Sequence, residues 1–141
     1  MATEILPGGE ANLAIMQRRR DAMAAGDTAA VEAVFAPGFV DHDPAAGQPA
    51  GAEGLTWYWA GFDRSFSDVS REVLDTVATP EHVVTVTRLA GTHTGRWRGH
   101  APTGRSFSVR SVQVMRFEGG LIVERWGSTD EAGILEQLGL A

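Results

Sequence analysis

Between Glu10 and Ala25, apolar Leu13, Ile15, Met16 and Met23 are set among Gln17, Arg18, Arg19, Arg20 and Asp21 with the period of an amphipathic helix. Gly26 stops this helix, and Asp27 is placed to cap a short second one carrying Val31, Val34 and Phe35, ended by Pro37-Gly38. Phe39 to Pro44 reads as a short extended piece, and the Pro/Gly/Ala-rich stretch through Gly51 as a lid-like loop. Leu55, Tyr58, Trp59, Phe62 and Phe66 then fall at helical spacing, predicting a third helix with an aromatic face. After Ser67 the pattern changes to strands, over Val69–Val77, His82–Thr94, Arg105–Phe117 and Leu121–Gly127. Glu118-Gly119-Gly120 is a hairpin signal between the last two. Asp130 to Leu138 closes the chain as a short helix with Ile134, Leu135 and Leu138 on one side.

Three helices followed by four long strands predict an α+β fold in which helices cover one face of an antiparallel sheet. Strands this long curl, and a sheet curled around helices makes a cone whose open end is a pocket for a small, largely apolar molecule. The 141 residues fit a single domain, 1–141, with no repeat or linker.

Composition narrows the class. Hydrophobic residues are 43% and charged residues 21%, ordinary for a globular protein. A net charge of -6 argues against nucleic acid or an anionic membrane as partner, because no basic stripe offsets phosphate repulsion. With no cysteine there is no disulfide framework, thiolate catalysis or zinc-thiolate site. No signal-peptide pattern is seen in MATEILPGGE and no stretch approaches bilayer-spanning length, so a cytoplasmic protein is expected. Every basic position is Arg, which with the high Ala and Gly content fits a GC-rich bacterial genome.

Five segments taken together are distinctive: Phe39-Val40-Asp41-His42-Asp43-Pro44, Gly91-Thr92-His93-Thr94-Gly95, Pro102-Thr103-Gly104-Arg105, Arg116 to Trp126, and Gln137-Leu138-Gly139-Leu140. In this order they resemble the SnoaL-like polyketide cyclases. The resemblance implies the nuclear-transport-factor-like (cystatin-like) cone, a homodimer or homotetramer, and neither metal nor organic cofactor. It also implies a small-molecule substrate: named members close a ring of an aromatic polyketide ester by intramolecular aldol condensation, and close relatives are assigned hydroxylation. Fold alone does not fix which.

In the cyclases an Asp in the motif Asp-x-x-Arg-Phe serves as general base and acid, but this sequence reads Gln113-Val114-Met115-Arg116-Phe117. A carboxylate can take an α-proton when a dry pocket raises its pKa, whereas a neutral amide has no basic lone pair. Gln113 can only hydrogen-bond. Alternation puts Val109, Ser111, Gln113 and Met115 on one strand face; if that face lines the cavity, Ser111 and Met115 meet substrate beside Gln113. Histidine is the remaining side chain that titrates near neutrality, so His42 and His93 join Gln113 as catalytic candidates. His42 is read as pointing into the pocket or as anchoring its own turn, and His93 as reaching the mouth or capping a turn. His100 departs from the family pattern within a loop, as a new group or an exposed one, and His82 is read as a surface residue.

Arg88 and Arg116 resemble family positions that could hold a carboxyl or phenolate oxygen, or else pair with Glu124 or Asp75. Trp59 and Trp126, with Trp57 and Tyr58, could stack on a polycyclic ring or fill volume. Asp130 is an acid at the pocket rim or, better, a helix N-cap. No His pair has zinc-site spacing, so no metal is expected. Three functions stay open: an enzyme of cofactor-free acid/base chemistry such as aldol-type cyclisation, enolisation or hydration; a cofactor-free hydroxylase of aromatic polyketides; and a ligand-binding protein that lost catalysis with the Asp.

Overall fold

The amphipathic segment forms helix α1 over Glu10–Ala25, the bounds its period predicts. Gly26 ends it at φ 70°, a left-handed conformation that costs glycine little, with its N–H on the carbonyls of Ala22 and Met23. The computed structural model describes residues 2–140. Helix α2 is only Thr28–Glu32, capped by Asp27, whose Oδ1 accepts from the Ala30 N–H at 3.1 Å. It stops before Val34 and Phe35, which the sequence pattern assigns to it. Phe35 instead opens strand β2, Phe35–Asp41, because pairing with Ile122 buries its ring in the core. Helix α3 spans Ala52–Ser65.

Four strands come next: β3 Phe66–Ala78, β4 His82–His93, β5 Ser106–Glu118 and β6 Leu121–Thr129, paired antiparallel in chain order. Two edge strands have no counterpart in the sequence pattern as sheet partners. Strand β1, Ala2–Ile5, runs parallel to β3, and β2 runs parallel to β6, giving the order β1-β3-β4-β5-β6-β2. The pairing shifts at Ser67/Ser70, Val73/Asp75 and Arg116/Phe117, bulges that bend a sheet instead of leaving it flat. The short helix α4, Glu131–Gln137, packs against β5. The result is an α+β cone, a curled six-stranded sheet with helices on its concave side. Among the described residues, no helix is long and apolar enough to cross a membrane.

The concave face carries two separate apolar clusters. At one end Ile15 and Met16 of α1 meet Phe35, Val83, Met115 and Ile122 of the sheet. At the other, Phe62 and Phe66 meet Leu89, Phe107, Val109, Ile134 and Leu138. Between them the same strand faces turn polar, with Thr85 opposite Gln113 opposite Gly127, and Thr87 opposite Ser111 opposite Thr129. This polar belt across three strands is the feature that positions the site. The convex face presents Val84, Val86, Val112, Val114 and Trp126 among ion pairs such as Arg88–Glu72 and Arg116–Glu124.

Candidate functional site

Gln113 faces inward as alternation predicts, and its Oε1 accepts a hydrogen bond from Arg125 Nε at 2.9 Å. Arg125 reaches it from β6, where it sits opposite Met115 on the same face. Its Nη1 donates to Asp41 Oδ1 at 3.0 Å, and Asp41 lies in register with Arg125 on β2. Asp41 is further held by Gln48 Nε2 at 2.9 Å and by the N–H of Asp43 at 3.0 Å. The chain Gln113–Arg125–Asp41–Gln48 thus links the polar belt to the lid-like loop. The ion pair is largely buried, with side-chain exposures of 10% and 5%.

Against this chain lies a cleft of about 360 Å³ bordered by Asp43, Gln48, Tyr58, Arg98, Arg125 and Glu131. Asp43 borders it while its Oδ2 accepts from the Gly127 N–H at 2.9 Å. Arg98 is ion-paired with Glu131. Burial pushes the Tyr58 phenol above its ordinary value, outweighing the opposing fields of Arg125, Arg98 and Arg71, so it stays protonated at neutral pH.

Gly127 is required by the arginine. A Cβ there would lie 2.3 Å from Arg125 Nη2, closer than any real contact, and the guanidinium is tied to two partners. Gly127→Ala is expected to dislodge Arg125 and lower stability by about 1–3 kcal/mol, read as a shifted urea midpoint at unchanged slope. An unshifted midpoint would mean the guanidinium relaxes freely.

Deeper inside, α1, α3 and the belt enclose a small cavity of about 60 Å³ bordered by Arg19, Trp59, Arg71, Thr85, Ser111 and Gln113. Arg19, Met23 and Trp59 also border a second space of about 150 Å³ running out past Gly26 and Thr28 between α1, α2 and α3. Ser111 is buried and hydrogen-bonded to Thr129, Oγ to Oγ1 at 2.9 Å. The Arg71 guanidinium lies 4.5 Å from the Trp59 ring centroid, a cation–π contact. Arg19 is 4% exposed, and burial, with the like charges of Arg125, Arg71 and Arg20, pushes its pKa down to about 10.

Several side chains lie elsewhere than the sequence pattern puts them. His42 faces outward: Asp41 shares the inward side with Arg125, so the next residue of the chain turns away. Its Nε2 meets Glu124 Oε2 at 2.6 Å and its ring stacks on Trp126, 4.7 Å between centroids. Glu124 is held below the usual carboxylate range by its hydrogen bonds to His42 and Arg116. Trp126 and Arg88 follow the same alternation onto the convex face, Arg88 paired with Glu72 at 2.7 Å. His93 is fully buried beside Phe66, its Nδ1 accepting from the Thr103 N–H at 3.1 Å, so it clamps the β4–β5 loop. His100 lies in that loop, bridged to Trp97 through the backbone. Met115 is core. Asp130, by contrast, follows the better of its two readings and caps α4, Oδ1 accepting from the Gly133 N–H at 2.8 Å.

Sequence reasoning passes over Arg19, Asp41, Asp43, Tyr58 and Arg125 as members of one polar site. Arg19 carries a signal, standing three and four residues after Met16 and Ile15 on the apolar stripe. The register that turns Asp41 and Arg125 inward has no local signature.

A family model described as "SnoaL-like polyketide cyclase" matches residues 14–138. Among solved structures, IdmH of Streptomyces antibioticus, a candidate polyketide cyclase, is 32% identical, with TM-score 0.75, covering 89% of this chain and 96% of its own. TsrD of Streptomyces laurentii is 23% identical with TM-score 0.81, covering 94% and 97%. AclR of Streptomyces galilaeus, a candidate hydroxylase, is 23% identical with TM-score 0.78, covering 95% and 98%. The last two likenesses speak for the fold alone. No functionally curated protein matches the sequence.

Proposed function

The chain belongs to the SnoaL-like polyketide cyclase family, and from that premise we propose that it is an enzyme acting on a small, largely apolar, polyketide-type substrate by cofactor-free acid/base chemistry. The reaction is an aldol-type cyclisation or a related enolisation. The observation that carries this reading is the cleft-lining arginine: Arg125, tied to Gln113 and Asp41, with the carboxylate of Asp43 and the phenol of Tyr58 around the same space.

Gln113, in the place of the family's Asp, acts by positioning Arg125 and leaves that cation neutralised by one carboxylate instead of two. Asp43, exposed at the mouth of the cleft until a bound substrate covers it, is the base that takes the α-proton. Arg125 holds the enolate oxygen, stabilising charge where it develops. The enolate carbon attacks the second carbonyl, and the alkoxide formed recovers the proton from Asp43 while Tyr58 donates a hydrogen bond to it. Proton and electron balance close without a co-reactant. His42 takes no part, since it faces away from the cleft. The apolar convex face serves self-association, as a homodimer or homotetramer.

A screen of aromatic polyketide esters with mass-spectrometric product detection tests this. Turnover by wild type and equally by His42→Ala is expected. Binding without turnover, together with turnover gained in Gln113→Asp, would instead favour a ligand-binding protein on a cyclase scaffold.

A further inference from the structure

Arg19 is a buried cation without a counter-charge. Its guanidinium lies 5.7 Å from the Phe35 ring, its Nε has no hydrogen-bond partner, and among the described residues no carboxylate is within ion-pair distance. Asp63, the acidic group bordering the same outer space, is held by Arg71 at 3.3 Å. Thr85 Oγ1, on the opposite wall of the inner cavity, is also buried and unpartnered. An isolated charge taken out of water is costly, and an unpartnered N–H donor and an unpartnered hydroxyl, on two residues that border one small cavity, match the oxygens of an anion. The cavity admits a carboxylate or a few ordered waters. The space beyond it is bordered mainly by apolar side chains, Ala22, Met23, Val31, Leu55 and Trp59 among them.

We propose that the interior of the cone binds a small apolar carboxylic acid as its anion, with the carboxylate between Arg19 and Thr85 and the apolar body running out along Met23, Leu55 and Trp59. This deepens the function proposed above by giving the substrate a free carboxylate, and it rests on that reading only for the chemical steps after binding. Gln113 borders this cavity and holds Arg125 at the cleft, so an anchored acid would lie beside the group that stabilises the enolate.

The test is calorimetric binding of 4-phenylbutanoate and of its neutral amide at pH 7 to wild type, Arg19→Met and Thr85→Val. Wild type is expected to bind the acid at least about 10-fold more tightly than the amide, since a charge-assisted pair with a desolvated arginine is lost in the amide. Arg19→Met abolishes the discrimination and melts no lower than wild type, because replacing a lone buried charge by an apolar chain is not destabilising. Thr85→Val, which keeps the shape, weakens the acid and not the amide. Equal affinities for acid and amide, no binding of either, or discrimination surviving in Arg19→Met overturns the proposal. Binding is read without turnover: a protein that holds the acid and converts nothing keeps this inference and loses the enzymatic one, and one that converts neutral esters but ignores the acid does the reverse.

Discussion

Replacing Arg125 by Met lowers the unfolding free energy by about 3–5 kcal/mol, since it leaves the Asp41 carboxylate buried without its cation. Methionine matches the stem of the arginine, so little of the loss is packing. Gln48 and the N–H of Asp43 still donate to Asp41, which sets the expectation toward the lower end of that range. The pair can be separated from the charge: Arg125→Met combined with Asp41→Leu removes both partners and should recover much of the loss. Urea unfolding of the two single variants and the double measures this directly. A loss below about 1 kcal/mol in Arg125→Met would show that water reaches Asp41, and that Arg125 is not held as rigidly as its proposed role demands.

Asp43→Asn is expected to lower kcat by about 10²- to 10⁴-fold, the usual contribution of a general base, while leaving the fold intact. The reason for the split is geometric. Asparagine keeps an oxygen that can accept from the Gly127 N–H, so the loop stays in place, and only the basic lone pairs are lost. The effect should fall on kcat with KM little changed. Loss of activity accompanied by a lower melting temperature would indicate a structural role for Asp43 instead.

Much of the cone is legible from periodicity. α1, α3 and the four long strands follow from apolar spacing, because each buries one face against a single partner layer. The edges are not. β1 is four residues long, too short for a pattern, and β2 is interrupted by Pro37-Gly38, so both owe their strand character to a neighbour distant in sequence. The inward phase of β5 is readable, and Gln113 and Ser111 do border the interior. The phases of β2 and β6 depend on register, and a one-residue difference carries a side chain to the other face, which is why the sequence could offer His42 and Trp126 to the pocket without fixing the side on which they lie. Arg19 is hidden differently. Arg18-Arg19-Arg20 is a basic run inside a helical pattern, and its middle member continues the stripe of Ile15 and Met16 into the core.

The central claim, that a carboxylate and an arginine on this cleft generate an enolate without help from a cofactor, is most directly tested without knowing the natural substrate. An aryl ketone ester with one enolisable methylene is incubated in D2O with chelator-treated protein, and deuterium entering the α-position is followed by NMR. The account predicts exchange accelerated by wild type and His42→Ala, and reduced at least about 100-fold in Asp43→Asn. Exchange at the buffer rate with every protein, or exchange unchanged in Asp43→Asn, would contradict it.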